Sequence, residues 1–268
     1  MSTDLHARFA ALHDSASPLL LPNAWDAASA RLWESLGARA VATSSAALAW
    51  ACGYADGGKL PRDVLLHATR AILRVCSVPV TVDVEDGYAA DPAAVAALVR
   101  DVAAAGAVGI NLEDGGGDPA VLAAKIRAIR DALGATPLFV NARTDVYLRG
   151  LASGADAVAM TTERLALYRE AGADGGFVPG LVDADAAAQI AQAVPLAINV
   201  MALPSLAPVD ALARAGVRRI SAGPGLFDAA YGAGRDATRA FLAGELPAGG
   251  GGKLDYAAMN ALFAGLPA

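Results

Sequence analysis

The sequence predicts an α/β fold, a single (β/α)8 barrel of the TIM type with a short C-terminal appendage. Three observations predict it. Eight short aliphatic runs recur along the chain, alanine-rich segments with helical spacing separate them, and polar residues cluster at the carboxyl ends of several runs. The runs lie at 18–21, 40–43, 78–84, 108–112, 138–142, 176–178, 196–201 and 218–221. Between them, the segments 92–105 and 119–133 each open on Asp-Pro (Asp91-Pro92 and Asp118-Pro119). An aspartate there caps the helix and a proline suits its first turn. Gly106 and Gly134 follow these segments, where a left-handed C-terminal cap favours glycine. No charged linker divides the chain into halves. An open doubly wound sheet is the competing arrangement for the same alternation.

The rhythm breaks near the end. Pro247-Ala248-Gly249-Gly250-Gly251-Gly252 reads as a flexible or sharply turning connector, and 254–266 as an extra helix. The chain therefore divides into a barrel over 1–246 and a glycine-rich tether with a terminal helix over 247–268. Gly252-Lys253 superficially resembles a phosphate loop, but Pro247 and Leu254 stand where that motif needs Gly and Ser/Thr. A helix tethered in this way packs on its own barrel or reaches a partner subunit.

Composition excludes several classes. The 268 residues are 55% hydrophobic and carry a net charge of −6, which is too apolar for a disordered chain. Two cysteines read as reduced thiols rather than a disulfide framework, and no basic block offers a nucleic-acid footprint. The uncharged stretch 186–209 matches a bilayer span in length, but it contains Gln189, Gln192, Asn199 and three prolines. The N-terminal segment carries Asp4, His6 and Arg8 where a secretory signal would be apolar. A soluble, cytoplasmic protein that binds neither nucleic acid nor membrane is expected.

The informative residues are charges at strand ends. In Val82-Asp83-Val84-Glu85 the two-residue strand period sends Asp83 and Glu85 to one face and the valines to the other. The next run sets Asn111 and Glu113 against Ile110 and Leu112, the following one points Asn141 and Arg143 the same way, and Asn199 comes from the run at 196–201. Such residues gather at the carboxyl end of a barrel, where sites of this fold are built. A solvated charge at a loop entry is the alternative for any one of them. Asp83, Glu85 and Glu113 converge there with Arg143 as the evident counter-charge, which calls for raised pKa values or a bound cation. An oxygen-only donor set favours Mg²⁺ or Mn²⁺, with one carboxylate binding directly and the others through water. Arg143 offers a forked donor set to a substrate carboxylate.

Thr43-Ser44-Ser45-Ala46-Ala47 adds hydroxyls and backbone N–H groups, and Gly53-Tyr54-Ala55-Asp56-Gly57-Gly58 places Asp56 in a glycine-rich loop over the same mouth. Read singly, the first also fits a helix cap and the second an ordinary turn. His6, His13 and His67 fall in helices, away from the strand ends, so packing or surface roles are expected. Cys52 reads as a small buried apolar residue.

These segments, in their order and spacing, resemble the isocitrate lyase/phosphoenolpyruvate mutase superfamily over essentially the whole chain. The matching stretches are Pro22-Asn23-Ala24-Trp25-Asp26-Ala27, the runs at 43–47 and 53–57, Asp83-Val84-Glu85-Asp86-Gly87-Tyr88, Asn111-Leu112-Glu113-Asp114, Asn141-Ala142-Arg143-Thr144-Asp145 and Ser221-Ala222-Gly223-Pro224. The resemblance implies a barrel whose terminal helix is exchanged between subunits of a homodimer or homotetramer. It implies Asp83 as the direct Mg²⁺ ligand, with Glu85 and Glu113 holding metal-bound water. Trp25, Ser44, Ser45, Ala46, Arg143 and Asn199 would bind a small 2-oxo or 2-hydroxy carboxylate, and Asp56 and Arg143 would act at the reacting centre. The implied chemistry is lysis or hydrolysis of a C–C bond beside the 2-oxo acid through a metal-stabilised enolate. The alternatives are a phosphonopyruvate-type C–P mutase or hydrolase and a non-catalytic 2-oxo acid binder. One departure stands out. The lyases of the superfamily carry a Lys-Lys/Arg-Cys-Gly-His loop, whose Cys protonates the departing carbanion. Here the segment is Asp114-Gly115-Gly116-Gly117-Asp118-Pro119, without Cys or His and short for a full lid. The long gating loop of the mutase and hydrolase branches is missing as well.

Overall fold

The structure is a computed structural model and describes residues 2–245 and 254–266. Its strands are β1 (Leu19–Leu21), β2 (Asn23–Ala24), β3 (Val41–Thr43), β4 (Val80–Asp83), β5 (Gly109–Glu113), β6 (Phe139–Arg143), β7 (Gly175–Phe177), β8 (Ala197–Met201) and β9 (Val217–Ser221). All pair in parallel, in the order β1-β9-β8-β7-β6-β5-β4-β3-β2. Only Pro22 separates β1, which pairs with β9, from β2, which pairs with β3. The two are halves of one strand, and the sheet closes into a barrel. Proline has no N–H to give the ladder, so the strand breaks there. Its carbonyl still accepts from the Ala42 N–H at 3.0 Å, and the Leu21 carbonyl accepts from Ala222 on the other side, also at 3.0 Å. The run expected at 18–21 is thus only the first half of its strand.

The helices are α1 (Ser2–His13), α2 (Ala27–Ser35), α3 (Ser45–Ala51), α4 (Arg62–Val75), α5 (Pro92–Ala104), α6 (Pro119–Leu133), α7 (Gly154–Glu170), α8 (Ala184–Ala193), α9 (Val209–Arg214), α10 (Gly225–Leu242) and α11 (Tyr256–Phe263). Asp91 and Asp118 cap α5 and α6 as expected, accepting from Ala93 at 3.1 Å and Ala120 at 2.9 Å. The main core lies between strands and helices. Val82, Ile110, Val140, Ile198 and Val200 face outward onto Val95, Val99, Ile126, Ile129 and Ile190, all fully buried. Burial of each such side chain stabilises the fold by about 1.5–3 kcal/mol.

A second, smaller core closes the amino end of the barrel. Phe9 and Leu12 of α1 pack there with Leu19, Leu21, Ala42, Val108 and Phe139. His13 belongs to this plug. Its ring stacks on Phe139 with centroids 4.3 Å apart, and its Nδ1 is 2.9 Å from the Phe9 carbonyl, the contact of a donating N–H. At the other end of the chain α11 lies against α2, where Arg31 Nε donates to the Leu262 carbonyl at 2.6 Å and Phe263 and Leu266 touch the core. The expected helix over 254–266 is therefore present in shorter form, whereas the glycine tether at 247–252 lies outside the described residues. Among the described residues no helix is long and apolar enough to cross a membrane.

The plug makes a pH prediction. Burial, helped by the nearby Arg219 charge, lowers the His13 pKa to about 4. A folded-state pKa below the unfolded value means that the unfolded chain takes up the proton first. Stability is therefore complete above about pH 6.5 and is lost as pH falls towards 4, by about 2 kcal/mol between pH 7 and pH 5. Urea denaturation of the wild type and His13→Phe at both pH values checks this. The variant should lack that part of the loss, and equal losses in the two proteins would rule out His13 as the source.

Candidate active site

The barrel brings the strand-end residues into two laterally paired rows. Register aligns Asp83 with Asn111 and Asn111 with Asn141, while Glu113 aligns with Arg143, Arg143 with Phe177, Phe177 with Asn199 and Asn199 with Arg219. Of these, Asp83, Asn111, Arg143 and Phe177 line a cavity of about 160 Å³, together with Asn23, Ser44, Ser45, Ala46, Asp56 and Ser221. A contiguous outer recess of about 280 Å³ adds Glu85, Glu113, Asp145 and Arg149. The cavity at the opposite end of the barrel, about 570 Å³ between α1 and the strand starts, contains none of the strand-end carboxylates.

Arg143 holds the mouth together. Its Nη1 meets Glu113 Oε2 at 2.6 Å, while its Nε and Nη2 grip the two oxygens of Asp145 at 2.6 and 3.1 Å. Its guanidinium carbon lies 5.8 Å from the centre of the Phe177 ring. Burial disfavours the charge on Arg143, but Glu113 and Asp145 outweigh it and the pKa rises. Glu113 carries the strain of the pairing. Burial pushes its pKa up to about 8, because Arg143 is opposed by the Asp83, Asp145 and Glu85 charges. Asp83 is buried and its pKa is raised by desolvation despite Arg143. It accepts from Ser45 Oγ at 3.2 Å, and the Glu85 N–H donates to its other oxygen at 3.1 Å.

Glu85 reaches the site by a route that strand alternation did not anticipate. The strand ends at Asp83, and Glu85 sits in the following turn with φ +50°. Such backbone costs about 1 kcal/mol or more for a non-glycine residue and persists only where its surroundings hold it. Here Lys125 Nζ, itself buried, donates to the Asp86 carbonyl at 2.7 Å, and Glu85 Oε2 accepts from the Gly58 N–H at 2.5 Å. The second bond ties the Gly53–Gly58 stretch, and with it Asp56, to the mouth. Burial raises the Glu85 pKa, and the Tyr88 hydroxyl opposes this without reaching hydrogen-bonding geometry. Glu85 Oε1 is buried with no hydrogen-bond partner.

Ser44 caps α3, accepting from the Ala47 N–H at 3.3 Å, so Ser45 and Ala46 form the first turn of a helix aimed at the cavity they line. Two expected substrate-binding residues lie elsewhere. Trp25 does not line the cavity; it is buried in an aromatic cluster, with Phe227 at 5.2 Å and Trp33 at 6.1 Å between ring centres. Strand β2 is only two residues long, so the chain turns into α2 before the indole can face the axis. Asn199 is fully buried in the barrel interior without lining the cavity, and its Oδ1 accepts from Ser221 Oγ at 3.1 Å. It supports a residue of the floor.

Arg219 is the residue the sequence reading missed. Fully buried, it donates through Nε to Ser221 Oγ at 3.1 Å and through Nη2 to Asn111 Oδ1 at 3.2 Å, and its charge acts on Asp83. Arg143 is thus not the only counter-charge. The signal was there in the two-residue phase that Arg219 shares with Ser221 on β9.

The departing segment 114–118 is fastened rather than loose. The buried Asp114 carboxylate accepts from Arg164 Nη1 at 2.8 Å, Tyr168 Oη at 2.7 Å, Gly116 N at 2.8 Å and Asp145 N at 3.1 Å. Burial opposes its charge, but these donors outweigh it and the pKa is lowered.

The oxygen-only mouth, the raised carboxylates and the unpartnered Glu85 oxygen fit a hard cation. No three His, Cys, Asp or Glu side chains among the described residues stand close enough to enclose one by themselves.

A closed parallel barrel with its polar side chains gathered at the carboxyl ends of the strands defines the class, a (β/α)8 protein of the TIM type. The chain belongs to the phosphoenolpyruvate phosphomutase family, whose family model matches residues 9–242. It falls within the isocitrate lyase/phosphoenolpyruvate mutase superfamily of enzymes, which includes lyases, hydrolases and phosphonomutases. An uncharacterized protein of Mycobacterium tuberculosis is 38% identical over 238 residues, covering 87% of this chain and 88% of that one. A Burkholderia cenocepacia structure, provisionally described as a phosphonomutase, is 38% identical with a TM-score of 0.84 over 88% of this chain and 99% of its own. The fold is also that of a phosphonopyruvate hydrolase solved with oxalate and Mg²⁺, at 23% identity and a TM-score of 0.81, covering 96% of this chain and 94% of that one.

Removing the Asp114 carboxylate leaves Arg164, which still donates to the Gly117 carbonyl at 2.9 Å, without its anionic partner, and takes the acceptor from Tyr168 Oη and the Gly116 and Asp145 N–H groups. Asp114→Ala should therefore cost about 3 kcal/mol of stability, read as a lower denaturation midpoint at pH 7. An unchanged midpoint would show that the segment is not held by this residue.

Proposed function

We propose that the protein is a Mg²⁺-dependent lyase or hydrolase that cleaves the C–C bond beside a 2-oxo or 2-hydroxy acid through an enolate. The observation that carries this reading is the buried set Asp83, Glu85 and Glu113 around Arg143, with more carboxylates than the guanidinium can balance. Asp83 would hold the ion directly, and Glu85 and Glu113 would hold it through water, with Mn²⁺ able to substitute. When bound, the ion supplies Lewis-acid stabilisation of the charge that develops on the keto oxygen. The chain's own residues do the rest. Arg143 keeps N–H groups beyond those given to Glu113 and Asp145, and these orient the substrate carboxylate. Ser44, Ser45 and the first amides of α3 receive its oxygens. Asp56, in the loop tied to Glu85, would move a proton at its carboxylate, a role suggested by the lack of Cys or His in segment 114–118.

A homo-oligomer, dimer or tetramer, is part of the same reading. Supporting it, α10 leaves Tyr231, Phe241 and Leu242 exposed, and Tyr256 of α11 is 86% exposed, an apolar surface suited to a second copy.

The lack of a thiol or imidazole at 114–118 favours one second reading, a binder that holds 2-oxo acids without turnover. Calorimetry should show that Asp83→Ala removes Mg²⁺ binding, with affinity falling at least a hundredfold; an unchanged affinity would overturn the metal assignment. A panel of 2-oxo acids, malate derivatives and phosphonates assayed with Mg²⁺ then separates the activities. Release of a shorter 2-oxo acid supports the lyase, and conversion of phosphonopyruvate seen by phosphorus NMR replaces it with C–P chemistry. Thermal stabilisation by oxalate plus Mg²⁺ with no turnover leaves the binder.

A further inference from the structure

Arg219 lies under the floor of the cavity without lining it. A guanidinium taken out of water ordinarily finds a carboxylate, as Arg143 does. Arg219 instead donates to two neutral oxygens, Ser221 Oγ at 3.1 Å and Asn111 Oδ1 at 3.2 Å, and its Nη1 has no partner among the described residues. Burial lowers its pKa to about 9, which leaves it charged at neutral pH. Both of the residues it touches line the cavity.

The contact with Asn111 decides which way a carboxamide points. Asn111 and Asn141 stand side by side on β5 and β6, joined by a bond from Asn141 Nδ2 to Asn111 Oδ1 at 2.9 Å. Two amides that face only each other are degenerate. If both turn over, the same bond forms in the opposite direction. Arg219 removes that freedom, because a guanidinium only donates and the Asn111 atom beside its Nη2 must therefore be the oxygen. Asn111 Oδ1 then accepts twice, and both of its lone pairs are taken. What Asn111 has left for the cavity is Nδ2, a donor without a partner among the described residues.

Ser221 is polarised by the same guanidinium. Its Oγ receives the Arg219 Nε–H and gives its own proton to Asn199 Oδ1 at 3.1 Å, so its hydroxyl offers the cavity no donor. Asn111 also stands beside Asp83 in register, the carboxylate to which Ser45 donates at 3.2 Å. Its free N–H is therefore on the polar side of the cavity.

We propose, on the reading of this cavity as a 2-oxo acid site, that Asn111 gives an N–H to an oxygen of the ligand's acid end. Arg219 is the positioning residue that keeps this donor, and not the Asn111 carbonyl, turned to the cavity. The selection is by kind: a keto, carboxylate or hydroxyl oxygen accepts such a bond, whereas the ammonium of a 2-amino acid does not.

The test is calorimetry on the full chain, with Mg²⁺ alone and then with oxalate at saturating Mg²⁺. Asn111→Leu and Arg219→Met should each weaken oxalate about tenfold, with Mg²⁺ affinity not reduced. Arg219→Lys, which still only donates, should stay within about threefold of the wild type. The double variant separates orientation from charge. If Arg219 acts through Asn111, adding Arg219→Met to Asn111→Leu costs nothing further; if the two losses multiply, Arg219 acts by its charge alone and the positioning role is overturned. Should Arg219→Met fail to fold, the Asn111 carboxamide signal in the nitrogen–proton spectrum, identified by its loss in Asn111→Leu, reads the donor in the wild type. Oxalate with Mg²⁺ should shift that signal and slow its exchange with solvent, and an unmoved signal overturns the proposal. If the wild type shows no Mg²⁺-dependent oxalate binding, the acid site itself fails and the assignment of Asn111 with it. If oxalate binds and Asn111→Leu leaves its affinity unchanged, the acid site stands and the Asn111 donor is overturned.

Discussion

The mouth of this barrel depends on one interaction, the clasp that Arg143 makes with Glu113 and Asp145. Carboxylates taken out of water lose hydration that a partner must replace, and a buried pair seldom recovers the whole cost. Arg143 recovers part of it by using the end of β6 to bridge Glu113 on β5 and Asp145 in its own following loop. The remainder shows as raised pKa values at Asp83, Glu85 and Glu113. The clasp thus offsets only part of the cost of burying these carboxylates.

Beneath the clasp lies a polar layer in an otherwise apolar barrel. Asn111 Oδ1 accepts from Asn141 and Arg219 together, and Ser221 links Arg219 to Asn199. Such a layer is costly unless its members satisfy one another, and here Asn199 Nδ2 and Arg219 Nη1 are left without a hydrogen-bond partner among the described residues. It fixes the floor on which Asp83, Asn111 and Ser221 face the cavity. Two loops above are tied by carboxylates of different kinds. Asp114, fully supplied with donors, pins the segment after β5; Glu85, with one oxygen unpartnered, holds the Asp56 loop by a single backbone N–H. The loop bearing the proposed proton-moving residue is therefore the more lightly held of the two.

The acid side is assembled from the segments that carry the superfamily resemblance. The apolar lining combines Leu148, Phe177, Pro179 and Met201, outside those segments, with Pro224, inside one of them. The fold is common property of the superfamily, and fold alone does not fix function.

Much was legible in the sequence because it follows from local rules. Aliphatic runs, Asp-Pro helix starts and strand phase placed all eight barrel strands, the caps of α5 and α6, and the inward aim of Asn111, Glu113, Asn141 and Arg143. Strand phase is a property of consecutive residues and needs no partner. The break at Pro22, the left-handed turn that delivers Glu85, the diversion of Trp25 into an aromatic cluster and the burial of Arg219 beneath Asp83 needed the closed barrel. Each depends on residues far apart in the chain: Gly58 and Lys125 hold the Glu85 turn, and Asn111 meets Arg219 only when the sheet curls shut. The sequence by itself determined which side chains are offered to the mouth. Tertiary structure decided which of them meet, because pairing of buried charges is settled by distance, and only closure of the sheet sets that distance.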